Sequence, residues 1–513
     1  MMASSYVIGT DIGTTSTKSV LFDKGGRVIA THTIEYPLYS PKSDVAEQDP
    51  DEIFRAVVGT IKEVVAKGGA KREGVLCVSF SSAMHSVIAV DGEGRPLTRC
   101  ITWADNRSAM WTERIKNEMN GHQIYLRTGT PLHPMSPLSK LVWLRNTDPE
   151  LFGRTHKFIS IKEYVFHQLF KRYVIDYSIA SATGMFNLTQ LNWDAEALQV
   201  AGVTPDRLSE PVPTTYAMEG IEENWAAEMG LPASTPFIVG ASDGVLSNLG
   251  VNAIEPGTVA VTIGTSGAIR AVTDKPVTDP KGRIFCYALA DDMWVIGGPV
   301  NNGGMIFRWL RDQLCSAETE TAKRLGKDPY DILTEIAARV PAGADGLLFH
   351  PYLAGERAPL WDANARGSFF GLGLQHKKEH MIRAVLEGVI FNLFTVYMAL
   401  EELIGHPTKI QATGGFARSE LWRQMMADIF EQEVHVPESF ESSCLGAAIL
   451  GLYSIGEVDS LHVVSSMMGT SHKHLPEQGN VEKYKELSRI YVRISRLLTS
   501  EYKEIAAYQK KWM

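Results

Sequence analysis

The spacing of apolar and polar residues gives the first elements of the chain. The segment 6–23 (YVIGTDIGTTSTKSVLFD) runs from an apolar stretch, through a turn of glycine, threonine and aspartate, into a second alternating stretch. This pattern predicts a β-hairpin, and a third strand is expected at 26–33. The pattern returns about half the chain later, at 259–272 (VAVTIGTSGAIRAV). We interpret the two hairpins as an internal duplication with a boundary near 252–256.

Helix signals are clearest after residue 48. Asp49 is a suitable N-cap, Pro50 occupies the first helical position, and Glu52 stands three residues after the cap. Apolar residues then recur at helical spacing; they are Ile53, Val57, Ile61, Val64 and Val65. The pattern also predicts two buried strands, at 74–80 and 86–90. An insertion rich in helices and loops is expected at 111–225, and a helix that follows a glycine pair is expected at 419–430.

One apolar stretch has to be weighed as a membrane span. The run 384–400 is interrupted by Glu387 and Asn392, so it predicts a buried helix instead. The N-terminus (MMASSYVIGTD) lacks the basic region and long apolar run of a signal peptide. The five cysteines are widely spaced and form no C-x-x-C pair, which favours a reduced compartment. We therefore expect a soluble cytoplasmic enzyme that binds no membrane.

Composition and charge narrow the class of function. The 513 residues would fill about three domains, or two larger ones. Apolar residues make up 44% and charged residues 21%, which is typical of globular proteins. With 50 basic and 59 acidic residues the net charge is −9, which argues against a general nucleic-acid binder. Anionic small substrates held by a few cations remain compatible with this charge.

The two hairpin turns are the first candidate for chemistry. The chain has no G-x-x-x-x-G-K-[ST] and no G-x-G-x-x-G motif, so the two best-known phosphate loops are absent. Small turn residues allow close approach to phosphate, and Asp11 can hold Mg²⁺. One hairpin alone would be explained more simply as a tight turn. Two related hairpins and the loop 413–419 (TGGFARS) favour phosphate binding; the hydroxyls concerned are those of Thr14, Thr15, Thr265 and Ser266.

The segment 240–244 (GASDG) admits three interpretations. It matches the G-x-S-x-G nucleophile elbow, with Ser242 as the nucleophile of a serine hydrolase. In a kinase, Asp243 would be a general base at the end of a strand. A glycine-flanked turn without chemistry is the third interpretation. Alongside the two hairpins, Asp243 as a base is favoured.

A short histidine pattern suggests a metal but is a weak signal. His376 and His380 form H-x-x-E-H, which also occurs in inverted zinc proteases. Zinc needs a third ligand and supporting hydrogen-bond partners, and the sequence identifies neither. We therefore expect no zinc site here.

With these residues in place, the chain resembles the FGGY family of carbohydrate kinases over nearly its whole length. The segments that carry the resemblance are GTDIGTTSTK (9–18), MSPLSKLVWL (135–144), VTIGTSG (261–267), GSFFGLGLQHKKEHMIRAVLE (367–387) and TGGFARS (413–419). The resemblance implies an α/β fold of two actin-like (ribonuclease H-like) domains with the active site in the cleft between them. The expected domains are 1–252, with the sugar site and the first phosphate loop, and 253–513, with the second loop, the adenosine site and the C-terminal helices.

The resemblance also implies the roles of individual residues. It implies ATP and Mg²⁺, with Asp243 as the catalytic base and Asp11 as the metal-associated carboxylate. The implied ATP-binding residues are Gly13, Thr14, Thr15, Ser16, Gly264, Thr265, Ser266, Gly414, Gly415 and Ala417. The implied substrate-binding residues are Met84, His85, Trp103, Asp105, Arg107, Met135 and Asp243.

Within the family, several segments are most similar to the branch that phosphorylates the sugar acid gluconate; they include SSAMHSVIA, ITWADNR, HPYLAGERAPLW and GGPVNNGG. A gluconate carboxylate would need a cation, and Arg107, His85, Lys140 and Arg357 all stay open as that partner. A xylulose- or ribulose-type kinase, the hydrolase using Ser242, and a non-catalytic actin-like assembly protein are the alternatives. The sequence does not fix the oligomeric state, and a homodimer stays open.

Overall fold

The computed structural model describes residues 5–69, 74–290, 292–438 and 441–512. The β-strands are β1 Tyr6–Ile12, β2 Ser16–Asp23, β3 Val28–Glu35, β4 Glu47–Gln48, β5 Val75–Ser82, β6 Ile88–Val90, β7 Cys100–Ile101, β8 Lys157–Ile159, β9 Val174–Asp176, β10 Phe186–Asn187, β11 Asn192–Trp193, β12 Glu210–Val212, β13 Ala217–Met218, β14 Phe237–Ser242, β15 Thr258–Ile263, β16 Gly267–Thr273, β17 Phe285–Ala290, β18 Met293–Val300, β19 Leu348–His350, β20 Ser368–Phe370, β21 Lys409–Thr413, β22 Glu433–Pro437 and β23 Thr470–His474.

The α-helices are α1 Pro50–Gly68, α2 Ala109–Glu118, α3 Gly121–Thr128, α4 Pro137–Thr147, α5 Pro149–Arg154, α6 Ile161–Phe170, α7 Tyr177–Ser181, α8 Ala195–Ala201, α9 Glu223–Met229, α10 Asp243–Gly250, α11 Gly304–Leu314, α12 Ser316–Leu325, α13 Pro329–Ala337, α14 Lys378–Ile404, α15 Glu420–Phe430, α16 Ser442–Ser454, α17 Val464–Met467, α18 Gln478–Leu497 and α19 Thr499–Trp512.

The contacts divide the chain into two compact units. The first unit comprises residues 1–254, 272–296 and 441–469, and the second comprises 255–271, 297–440 and 470–513. The sequence predicts a single division of the chain into two family domains, after residue 252, and that domain boundary stays a prediction. The two compact units do not follow this single boundary, because residues from the C-terminal half such as Leu289 and Leu450 are buried in an apolar cluster of the first unit. Burial against distant segments leaves no periodic signal in the local sequence.

The central sheet of the first unit has the strand order β13-β14-β5-β1-β2-β3. Strands β1 and β2 form the predicted hairpin, and β3 confirms the third strand. Strands β5 and β14 continue the sheet in parallel. The carboxyl ends of β1, β5 and β14 therefore lie at the same edge. This edge carries the polar residues of the candidate site.

Helix α1 covers one face of this sheet and begins as its sequence predicts. The Asp49 side chain accepts hydrogen bonds from the backbone N–H groups of Asp51 and Glu52, and Pro50 is the first helical residue. Val57 and Ile61 are fully buried in the core that α1 shares with the sheet. Helices α10 and α16 belong to a second apolar cluster of this unit, together with Val7.

In the second unit, β15 and β16 form the other predicted hairpin, and β21 pairs in parallel with β15. Strand β22 continues in parallel and β23 is antiparallel to β22. An antiparallel hairpin followed by parallel strands thus occurs in both units. Helix α14 is long and apolar enough to cross a membrane, but 78% of its apolar window is buried inside the protein. This agrees with the predicted core helix.

Candidate active site

The turn of the first hairpin is held by hydrogen bonds from three directions. The Gly13 N–H donates to the Ser16 carbonyl at 2.9 Å and closes the turn. The Trp103 indole N–H donates to Thr14 Oγ1 at 2.9 Å, and Gln48 donates to the Thr14 carbonyl at 2.5 Å. Thr15 is exposed at the tip. The structure therefore brings Trp103, predicted to bind substrate, into contact with the predicted phosphate loop.

Asp11 lies at the end of β1 beside this turn. Ser81 donates to its Oδ1 at 2.6 Å, and Ser443, at the start of α16, donates to its Oδ2 at 3.0 Å. Burial raises the pKa of Asp11, while the two serine hydrogen bonds and the charge of Lys18 oppose that rise. A carboxylate that accepts one hydrogen bond at each oxygen keeps lone pairs for a further partner.

Asp243 stands where β14 passes into α10. Gly240, three residues earlier, has a φ of 68°, and a Cβ there would lie 1.8 Å from the Phe80 carbonyl oxygen. Only glycine allows β14 to pass so close to β5. Asp243 is the first residue of α10, is half-buried, and accepts a hydrogen bond from the Gly244 N–H at 2.6 Å. The aspartate is thus presented at the same edge of the sheet as Asp11.

Ser242 lacks the environment of a nucleophile. It is fully buried, and its hydroxyl lies 3.1 Å from Ser178 Oγ, which also accepts from the Ser242 N–H. A nucleophile elbow must expose its serine hydroxyl to a substrate. The hydrolase interpretation of GASDG is therefore not favoured, and Ser242 fixes the end of β14.

A buried ion pair next to this strand end was not singled out from the sequence. Lys162 Nζ lies 2.6 Å from Asp176 Oδ2, and the same ammonium donates to the Ala241 carbonyl at 3.1 Å. Burial raises the pKa of Asp176 and lowers the pKa of Lys162. The charge of Asp176 and, to a smaller extent, that of Asp243 oppose the lowering at Lys162. The one local signal was the N-cap role of Asp176, which accepts from the Ile179 N–H at 2.9 Å.

His85 and Met135, both predicted to bind substrate, are held by one lysine. His85 has a φ of 67°, and its Nδ1 donates to the Ala182 carbonyl at 2.8 Å. Lys140 Nζ donates to the carbonyls of His85 and Met135, at 2.7 and 2.6 Å. Because Lys140 is fully buried and donates these hydrogen bonds to backbone carbonyls, it is disfavoured as the direct partner of a substrate carboxylate.

Arg107 is fixed by two carboxylates of the first unit. Its Nη2 lies 2.8 Å from Asp105 Oδ2 and 2.5 Å from Glu47 Oε1. The guanidinium carbon is 4.5 Å from the centroid of the Trp143 ring. Asp105 and Arg107 therefore form one polar cluster with Glu47, which precedes the Gln48 that holds the first hairpin turn. Arg357, the other arginine considered from the sequence, belongs to the second unit.

In the second unit, the hairpin turn and the TGGFARS loop meet. The Gly264 N–H donates to the Ser266 carbonyl at 2.9 Å, so this turn is one residue tighter than that of the first hairpin. Gly414 has a φ of 99°, and a Cβ there would lie 2.3 Å from the Ile263 carbonyl oxygen. A cavity of about 310 Å³ opens beside this contact; its lining includes Gly264, Thr265, Arg308, Tyr330, Gly415 and Trp422. Of the other predicted ATP residues, Ser266, Gly414 and Ala417 adjoin the lining in sequence.

Glu356, also missed from the sequence, anchors the turn behind this second hairpin. Its Oε1 accepts from the N–H groups of Asn301 and Arg357, and its Oε2 accepts from the side-chain amides of Asn302 and Asn392, at 2.5 to 2.9 Å. The turn continues to Gly304, whose N–H donates to the Gly264 carbonyl at 2.7 Å. No local pattern marks this residue, because its donors come from three separate segments.

The H-x-x-E-H segment has a structural role. His376 accepts from the Gly373 N–H at 2.8 Å, and His380 Nε2 lies 3.1 Å from Asp345 Oδ2 at the start of α14. Within the described part of the chain, no group of three or more metal-ligating side chains occurs. The absence of a zinc site stays a prediction.

Comparison with known proteins identifies the family. The model of the N-terminal domain of FGGY carbohydrate kinases matches residues 6–250, and that of the C-terminal domain matches residues 259–455. The chain belongs to the FGGY family of carbohydrate kinases. The resemblance drawn from the motifs is therefore confirmed, and so is the predicted two-domain α/β fold class.

Among FGGY kinases, this chain is similar to the gluconokinases of Bacillus subtilis and Bacillus licheniformis, each 61% identical over 508 residues and matched over 99% of both chains. The solved gluconate kinase of Lactobacillus acidophilus has a TM-score of 0.93 and 39% identity, covering 98% of this chain and 100% of that one. A ligand-bound xylulose kinase from the same organism has a TM-score of 0.93 and 38% identity, with the same coverage.

Proposed function

We propose that this FGGY kinase transfers the γ-phosphoryl group of ATP to D-gluconate and forms 6-phospho-D-gluconate. The observation that carries the proposal is the 61% identity to the two Bacillus gluconokinases over nearly the whole chain. The xylulose kinase of Bacillus subtilis is 27% identical over 492 residues. Because substrate choice within one fold depends on the side chains of the site, this difference in identity supports gluconate over a ketopentose.

ATP is proposed to bind through the two hairpin turns. Thr14, Thr15, Ser16, Thr265 and Ser266 would donate from backbone and hydroxyl groups to the phosphates. Gly13 and Gly264, whose N–H groups close the two turns, would let the phosphates approach the backbone closely. The 310 Å³ cavity beside Gly415 is proposed to hold the adenosine, with Gly414 and Ala417 shaping its edge. Its size falls at the lower end of the about 300–1,000 Å³ typical of small-molecule sites.

The residues present fit a magnesium ion at Asp11. Mg²⁺ in kinases is held by one or two carboxylates together with substrate phosphates, so one aspartate beside a phosphate loop suffices. Asp11 would hold the ion directly or through water, with its orientation fixed by Ser81 and Ser443. When bound, the ion would supply neutralisation of the charge on the β- and γ-phosphate oxygens.

Asp243 is proposed as the general base. Asp243 is the first residue of α10, and it is half-buried where β14 ends at the sheet edge. It would accept the proton of the terminal hydroxyl of gluconate as that oxygen attacks the γ-phosphorus. Met84, His85, Trp103, Asp105, Arg107 and Met135 are proposed to position the substrate.

A ketopentose is the second candidate substrate. The xylulose kinase structure from Lactobacillus acidophilus matches this chain as well as the gluconate kinase structure does, with a TM-score of 0.93 for both. Initial rates of ADP release with D-gluconate, D-xylulose, L-ribulose and glycerol separate the candidates. We expect gluconate to give by far the highest kcat/KM. A kcat/KM for a ketopentose that clearly exceeds the value for gluconate would refute the proposed substrate, and the assignment to the family would stand.

The role of Asp243 is tested with a matched pair of variants. Asp243→Asn keeps size and polarity but removes the proton acceptor, so kcat should fall about 10²–10⁴-fold while ATP affinity is retained. Ser242→Ala should stay within about tenfold, or 1.4 kcal/mol, because its hydroxyl is given no proton to carry. A dead Ser242→Ala with an active Asp243→Asn would contradict the mechanism.

Location and assembly belong to the same proposal. All five cysteines are free and buried, as expected for a reduced cytoplasmic compartment. Homodimerisation stays a prediction, which light scattering at micromolar concentration would test.

A further inference from the structure

Lys140 is a buried lysine, and among the residues that the structure describes no carboxylate forms an ion pair with it. It lies in the second turn of α4, which begins after the Ser136 N-cap, and its exposed fraction is 0%. An ammonium has three N–H donors, and two of them go to the carbonyls of His85 and Met135, at 2.7 and 2.6 Å. The lysine therefore joins two segments that are 50 residues apart in the sequence.

The two segments carry residues proposed to hold the substrate, and one of them is strained. His85 adopts a left-handed backbone conformation, with a φ of 67°. Such a conformation is unfavourable for a residue other than glycine and persists only where its surroundings enforce it. The hydrogen bond from Lys140 to the His85 carbonyl is one such constraint, and the bond from His85 Nδ1 to the Ala182 carbonyl is another.

Burial makes this lysine costly to the fold. Desolvation lowers the pKa of Lys140 to about 7, with the charge of Arg107 acting in the same direction and that of Asp105 against it. An apolar side chain of similar length would fill the same space without the cost of burying a charge. Lys140 is unfavourable to bury, and its N–H groups donate to two loops of a binding site. We therefore expect this lysine to have a role beyond filling space.

We propose that Lys140 is a positioning residue that sets the separation of His85 and Met135 and thereby the shape of the sugar-binding site. The proposal rests on the substrate-binding roles proposed above. It assigns Lys140 no contact with the substrate and no part in proton transfer. Removing its donors should therefore weaken sugar binding more than it slows the chemical step.

Lys140→Met removes the donors and keeps an unbranched side chain of similar length. Lys157 supplies the matched control, because its Nζ also donates to two backbone carbonyls, those of Asp206 and Leu208, each at 2.8 Å. Lys157→Met therefore loses the same type of contact without removing a hydrogen bond to His85 or Met135. For each variant, KM for the sugar, KM for ATP and kcat are measured, and folding is checked by thermal unfolding.

We expect Lys140→Met to raise KM for gluconate on the order of ten- to a hundredfold, with KM for ATP unchanged and kcat reduced by less than tenfold. Lys157→Met should change none of these constants more than about twofold. Lys140→Gln, which keeps a donor at shorter reach, should lie between wild type and Lys140→Met. It decides the matter if Lys140→Met is not recovered in folded form.

Equal values of KM for gluconate in the Lys140 variants and in Lys157→Met would overturn the proposal. A loss of kcat alone would do the same, since that is the result of a structural role that reduces the amount of active enzyme. If the wild type prefers a ketopentose, the proposed substrate fails, and the same constants are measured with that ketopentose. The two failures are therefore distinguishable.

Discussion

Replacing Lys162 with methionine leaves a carboxylate buried without its cation. Lys162 and Asp176 have side-chain exposures of 4% and 1%, and their charged atoms are 2.6 Å apart. Removing one partner of a buried pair typically costs about 3–5 kcal/mol, because the other charge stays desolvated and uncompensated. Asp176 would keep only local partners such as the Ile179 N–H. We expect a loss of this size in the free energy of unfolding of Lys162→Met at pH 8.

The sign of the pH dependence of stability follows from the pKa shifts of Asp176 and Lys162. Burial raises the pKa of Asp176 in the folded protein, so stability from this group is present at low pH and is lost as pH rises. Lys162 has a lowered pKa, so its unfavourable contribution in the wild type decreases with rising pH. Both effects make the deficit of Lys162→Met larger at pH 8 than at pH 5.

Urea unfolding of the wild type, Lys162→Met and the double variant Lys162→Met/Asp176→Asn measures these differences. Asparagine keeps the acceptor that caps α7 and removes the buried charge. The double variant should therefore be more stable than Lys162→Met at pH 8, and the two should converge toward pH 5. A Lys162→Met variant within 1 kcal/mol of wild type, or a double variant no more stable than the single one, would refute the reasoning.

Three further substitutions have defined outcomes. Both carboxylate oxygens of Glu356 accept hydrogen bonds, so Glu356→Gln places an amide N–H₂ against one of the donors. The free energy of unfolding, measured by denaturant titration, should fall by about 1–3 kcal/mol. A variant as stable as wild type would contradict the hydrogen-bond assignment. Gly240→Ala meets the Phe80 carbonyl and should yield little folded protein, judged by circular dichroism and soluble yield; a wild-type yield would show that β14 can shift. Asp49→Ala removes the cap of α1 and should cost about 0.5–2 kcal/mol, with Asp49→Ser restoring most of it; equal stability of all three proteins would count against the cap.

Local patterns predicted the elements whose causes are local. The turn at Gly13 and the cap at Asp49 depend on residues within a few positions, and both are found as expected. Asp243 was placed correctly at the end of a strand because an apolar run directly precedes it. Its role as a base came from the resemblance to a family, and that role stays a proposal.

Long-range contacts account for most of what the sequence did not reveal. Ser443 donates to Asp11 across 432 positions of the chain, and three of the four donors around Glu356 come from two distant segments, at Asn301–Asn302 and at Asn392. Lys140 was considered from the sequence as a partner for a substrate carboxylate, whereas in the structure it donates to two backbone carbonyls. Such pairings depend on how distant segments pack, and periodicity does not record them.

A competition between two substrates tests the central claim most directly. The enzyme is given equal concentrations of D-gluconate and D-xylulose with limiting ATP, and the phosphorylated products are separated and quantified by mass. In such a mixture the ratio of initial product rates equals the ratio of the two kcat/KM values. The account predicts that 6-phospho-D-gluconate is formed in large excess. A mixture in which xylulose phosphate predominates would contradict it.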